Sequence, residues 1–140
     1  MWFYNTGKIF LERLKYNDDL FLSIKDTFKR SNIKMGLFMA IGATKTANIG
    51  FYDQKEKVYK NQFIDEPAEI ISCIGNVSEV DGDISIHGHI NLGLKDGTTK
   101  GGHLLEGTSI FACELIGIAL EGEQLKRIHD DITGLKLWDL

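Results

Sequence analysis

Between Leu20 and Phe28 the apolar residues Leu20, Ile24 and Phe28 recur every four positions, with Phe21 alongside, which is the period of a helix with one buried stripe. Asn17-Asp18-Asp19 offers an N-cap and places acidic groups at the positive end of the dipole, and Ser31-Asn32 ends the stripe. Elsewhere the period shortens to two. Lys8 to Leu14 alternates as a first strand, and after Met35 come further short runs, 36–43, 46–52, 58–64, 68–75, 83–94 and 109–120. Polar connectors separate them, and Asp81-Gly82 and Lys95-Asp96-Gly97 carry the Asp-Gly pair of tight hairpins. The pattern predicts an α+β domain, a mainly antiparallel β-sheet, sandwich-like, with one principal amphipathic helix. The stretch 124–140, with Trp138 near its end, is expected to dock on the rest.

Composition narrows the class. At 140 residues the chain suits one domain, 1–140, and 43% hydrophobic with 26% charged residues excludes wholesale disorder. Fifteen glycines against one proline favour short strands and tight turns over a helical bundle. The net charge of −4 argues against a general nucleic-acid coat. Lys25, Lys29, Arg30 and Lys34 are spaced as one solvated helix face, offset by Asp18, Asp19 and Asp26. Cys73 and Cys113 lie in apolar runs without a CxxC spacing and are expected to be reduced core residues. No run approaches the ~20 apolar residues of a bilayer span, and the N-terminus does not read as a leader, so a soluble, cytoplasmic protein is expected.

The chemical signal is a histidine cluster. His87, His89 and His103 stand in Ile86-His87-Gly88-His89 and Gly101-Gly102-His103. On a strand from Asp83 to Leu94, alternation puts Ile84, Ile86, Ile90, Leu92 and Leu94 on one face and Asp83, Ser85, His87, His89 and Asn91 on the other. Residues two apart on a strand are separated by roughly 6.6 Å, so two imidazoles can converge on one ion at about 2.0–2.1 Å per Zn–N bond. The turn at Lys95-Asp96-Gly97 would return His103 beside them. Three neutral imidazoles leave a coordination position open, as in a catalytic-type zinc site, and iron, nickel or manganese could use the same donors. A divalent metal, zinc first, is the expected cofactor. The bland alternative is three hydrogen-bonded surface histidines. His129 stands outside the cluster as a surface residue.

Other chemistry is weaker. The glycines between 36 and 50 form neither a P-loop nor a dinucleotide fingerprint, and no GxSxG elbow precedes a helix. A cupin-type site would need a Glu soon after the second histidine, where Asn91-Leu92-Gly93-Leu94 stands instead. Glu69 and Glu114 occupy otherwise apolar runs, where an ionised carboxylate is costly unless paired. Each could serve as an acid or base beside a metal, or as a structural or interface charge. No catalytic residue is assigned.

In order along the chain, Ala40-Ile41-Gly42-Ala43, Ile49 to Asp53, Glu69 to Ser78, Asp81-Gly82, Ile86 to His89, Asp96-Gly97 and Gly101 to Leu104 resemble the PPC (plants and prokaryotes conserved) domain family in its stand-alone prokaryotic form. The resemblance runs from about Lys8 to the C-terminus. It implies a PPC-like fold with a central antiparallel sheet, assembly as a homotrimer, and a metal site at the three histidine positions. Members are described as DNA-binding because plant relatives carry an AT-hook beside the domain. This chain has no Arg-Gly-Arg-Pro segment to enter a minor groove. Two functions compete: a trimeric assembly or regulatory module that recruits proteins or contacts DNA, and a metal-dependent enzyme or small-molecule sensor using the open three-histidine site.

Overall fold

The computed structural model describes residues 1–139. Nine strands and one helix follow each other as β1 (Asn5–Leu14), α1 (Leu20–Arg30), β2 (Gly36–Asp53), β3 (Val58–Ile64), β4 (Ala68–Val80), β5 (Asp83–Gly93), β6 (Thr99–Leu104), β7 (Ser109–Glu121), β8 (Arg127–Asp130) and β9 (Leu135–Trp138). The architecture is α+β and mostly antiparallel. Seven strands form one sheet in the order β1-β7-β2-β4-β5-β6, with β3 beside β2, and β8 and β9 form a separate hairpin.

Strand β2 is the spine of this sheet. The sequence suggested two strands, 36–43 and 46–52, but the backbone runs on for 18 residues. Gly42 takes φ +146° at a register shift against β4, shifts against β7 follow around Thr44, and a side chain at Gly42 would collide with the Ala112 carbonyl. The glycine therefore bends the strand at a bulge and does not end it. Beyond the bend, the second half of β2 leaves β4 and pairs with β3 on one edge and with β6 on the other, Ile49 opposite Leu104 and Gly50 opposite His103. That closes β2, β4, β5 and β6 on themselves, and Ile49, Ile90, Leu92 and Leu104 fill the interior.

Helix α1 starts as its sequence suggests, at Asp19. One carboxylate oxygen of Asp19 accepts from the Leu22 amide at 2.9 Å, and the other accepts from the Gly107 amide at 2.6 Å. The apolar stripe Leu20, Ile24 and Phe28 is fully buried, with Phe28 in edge contact with Phe10 and Phe38. The Asp19→Ala protein is expected to lose about 1–2 kcal/mol, read as a lower urea midpoint at unchanged slope, because both a helix cap and a loop anchor go with one side chain. On the solvent side, Lys25 and Lys29 meet Asp83 at 3.1 and 3.4 Å, and Arg30 meets Asp26 and Glu12 at 2.7 and 2.9 Å. These basic side chains are matched by acids of this chain.

The face of the sheet opposite α1 is apolar as well. Register carries one row across it, His103 opposite His89, His89 opposite Ile74, Ile74 opposite Met39, Met39 opposite Ile116 and Ile116 opposite Leu11. Leu11 is 78% exposed, Ile74 59% and Ile41 56%. Directly opposed residues share a face, so the histidines stand at one end of a broad apolar surface. No helix among the described residues is long and apolar enough to cross a membrane.

Candidate metal centre

Why the histidines sit where they do begins with Phe38. Its buried ring lies against Gly75 and Gly88, which oppose each other on β4 and β5, and a methyl group on Gly88 would come within 2.8 Å of Phe38 Cζ. The glycine between His87 and His89 is thus the floor on which an aromatic ring packs. The predicted alternation of β5 holds: Ile84, Ile86, Ile90 and Leu92 are buried, while His87 and His89 face the other way. Strand β6 then sets His103 directly opposite His89.

The three rings converge. Centroids are 5.3 Å apart for His87 and His89, 5.1 Å for His87 and His103, and 5.6 Å for His89 and His103. One nitrogen from each ring lies within 4.8 Å of the others, a spacing suited to a shared ion. His103 is the most enclosed chemically. Tyr59 stacks on it at 4.7 Å, and its buried Nδ1 has no hydrogen-bond partner among the described residues. A buried polar atom without a partner is unusual, and a metal ion would satisfy it. Burial, reinforced by His87, His89 and Arg127, lowers the His103 pKa to about 4, and burial with Arg127 and His89 lowers that of His87. Both rings are neutral at pH 7, the state in which imidazole ligates. Three nitrogen donors without a carboxylate suit zinc and its transition-metal neighbours over magnesium or calcium.

These shifts have a consequence for the chelator-treated protein. Folded His103 holds its proton more weakly than the unfolded chain, whose histidines titrate near ~6.5. Between that value and about 4 the unfolded state therefore binds more protons. Stability is expected to be full at neutral pH, to fall as pH drops through this window, and to gain nothing further from this group below it. Urea midpoints from pH 7 to 4 should fall less steeply for His103→Gln than for the parent.

Arg127 of β8 was not singled out in the sequence, yet it reaches the site. Its guanidinium donates to Ser78 Oγ at 2.9 Å, to Asn76 Oδ1 at 2.8 Å and to the Lys136 carbonyl at 2.9 Å, and Nη2 stands 3.4 Å from His87 Nδ1. Trp138 covers it at 5.5 Å. The expected docking of the C-terminal stretch is therefore real through residue 139, helped by Tyr52, whose hydroxyl donates to the Thr133 carbonyl at 2.7 Å. Only Trp138 hinted at it in the sequence. Glu69 and Glu114 are exposed and lie outside the histidine group, and so does His129, 3.3 Å from Asp131. Cys73 and Cys113 are free and buried, their thiol pKa values pushed up by burial to about 12 and about 11.

Comparison with known proteins agrees with this picture. A family model described as the Plants and Prokaryotes Conserved (PCC) domain matches residues 1–121. The chain belongs to this family. Among solved structures, the PCC chain is similar to a metal-containing protein from Archaeoglobus fulgidus at 42% identity and TM-score 0.93, covering 99% of this chain and 97% of that one. It is similar to a plant- and prokaryote-conserved protein from Pyrococcus horikoshii at 33% identity and TM-score 0.95, covering 100% and 96%. A protein from Bacteroides thetaiotaomicron proposed to bind DNA shares the fold at 24% identity and TM-score 0.87, covering 97% and 96%. A search of curated proteins found no match. Strands β8 and β9, which bring Arg127 to the histidines, lie beyond the residues the PCC model matches.

Proposed function

We propose that this PCC protein, a single domain over 1–140, binds a divalent metal ion, zinc by preference, through His87, His89 and His103, and works as a homotrimer. The observation that carries the reading is the convergence of three imidazoles, one of them, His103, with a buried nitrogen that has no partner among the described residues. That the Archaeoglobus fulgidus relative is a metal-containing protein supports the binding of a metal. Self-assembly draws support from the sheet face that ends at the histidines: soluble monomers rarely leave so broad an apolar surface bare, and Leu11, Met39, Ile41 and Ile74 are all exposed on it.

The basic side chains of α1 are occupied by Asp26, Glu12 and Asp83, so the reading does not depend on DNA contact. A second reading, a metal-dependent enzyme or small-molecule sensor, is favoured by a cleft that opens beside His87 and His103. When bound, the ion would supply a Lewis acid with an open position. His87, His89 and His103 would hold it, and Tyr59 would shield the buried side of His103.

Native mass spectrometry of untagged protein, paired with elemental analysis, tests both halves. A trimer with about one metal per chain is expected. A metal-free monomer would defeat the proposal, and a metal-free trimer would leave the histidines a structural role only.

A further inference from the structure

Arg127 is a half-buried cation whose hydrogen-bond partners are all neutral. Its guanidinium meets Ser78, Asn76, the Lys136 carbonyl and His87, and no carboxylate lies within ion-pair distance of it among the described residues. The neighbouring Lys136, by contrast, pairs with Asp81 at 2.7 Å. Burying a charge without a counter-charge is costly. The imbalance grows if a dication sits on three uncharged imidazoles a few ångströms away.

A cleft of about 230 Å³ joins these groups. Its polar lining comes from Tyr59, Ser85, His87, His103, Arg127 and Lys136, and it includes no Asp or Glu. Its apolar lining comes from Val80, Leu135 and Leu137. A hydrated inorganic anion would gain nothing from those aliphatic groups, whereas a short carbon chain would. A cleft of this size suits a chain of a few carbons.

We propose that this cleft binds a small organic carboxylate, its charged end between Arg127 and the open position of the histidine centre and its carbon chain against Val80, Leu135 and Leu137. The proposal rests on the metal reading above and names its ligand class. Arg127 is a binding residue here, and the C-terminal hairpin that carries it is part of the site.

The test is a titration of cobalt-loaded protein with butyrate, acetate and inorganic phosphate, followed in the visible cobalt absorption bands, with cobalt content measured in each variant. Butyrate should shift the bands saturably and bind more tightly than acetate. In Arg127→Gln its affinity should fall about tenfold or more, since hydrogen bonds to charged groups are the strong ones, and Arg127→Lys should recover part of the loss. Leu137→Ala tests the apolar wall without touching the hairpin's anchor. It should weaken butyrate about threefold or more and leave acetate unchanged.

Cobalt bound without any response to butyrate would overturn the ligand proposal alone. Equal butyrate affinity in Arg127→Gln, or phosphate binding tighter than butyrate, would overturn it as well. Failure to bind cobalt at all would remove the metal reading and this one together.

Discussion

The His103→Ala protein is expected to lose its metal while keeping its fold. Removing a ligand should cost more than removing a group that only hydrogen-bonds to a ligand, whose loss already lowers metal affinity about 10–100-fold, so a drop beyond about a hundredfold is expected at His103 and at His87. The fold should survive because neither ring is in the core: both stand on the outer face of β5 and β6, and the β5–β6 ladder is held by backbone pairs. Chelator competition with a chromophoric indicator reads the affinity, and far-ultraviolet circular dichroism reads the fold. His129→Ala, on the exposed C-terminal hairpin, should match the parent. Unchanged metal affinity in His103→Ala would mean that the ion, if any, sits elsewhere.

The second large effect concerns a residue with no polar atom in its side chain. Phe38→Ala should destabilise the protein by about 3–5 kcal/mol. Its ring is fully buried, touches Phe28 at 6.4 Å between centroids, and fills the space left by two opposed glycines that cannot grow to replace it. Because Gly88 lies between His87 and His89, the cavity would open directly beneath the metal ligands. Stability from urea unfolding, compared with and without zinc, separates the two consequences. A loss below about 1 kcal/mol would show that neighbours collapse into the void, which core sites do to varying degrees.

Much of this was legible in the chain. The four-residue spacing of Leu20, Ile24 and Phe28 defined the helix, since a single buried stripe leaves no other solution. Strict alternation from Ile84 to Leu92 defined β5 and put both histidines on one face. The Asp-Gly turn then made His103 a third partner, and it lands opposite His89. These are local features, set by residues close in sequence.

What escaped was long-range. Arg127 meets His87 across 40 positions, and nothing in Lys126-Arg127-Ile128 distinguishes this arginine from a surface one. Tyr59 reaches His103 from a strand that pairs only through β2. The continuity of β2 across 44–45 was missed because the two runs 36–43 and 46–52 pair with different neighbours, and only those partners show them to be one bent strand. Glu69 and Glu114 interrupt apolar runs because those runs have two apolar faces, one of them solvent-exposed, so a carboxylate there costs little.

The position of β2 also fixes when the protein can become whole. It is made early in synthesis, yet it needs β4 and β7 along its first half, and β3 and β6 along its second. Its last neighbour, β7, ends at Glu121. Until then Leu37, Met39 and Ile41 on one side and Phe38 and Ala40 on the other wait without their full set of partners. Non-local pairing of this kind folds slowly and leaves adhesive strands open meanwhile. A nascent chain halted before residue 121 leaves β2 without its full complement of β7 pairs and is thus a ready client for chaperones.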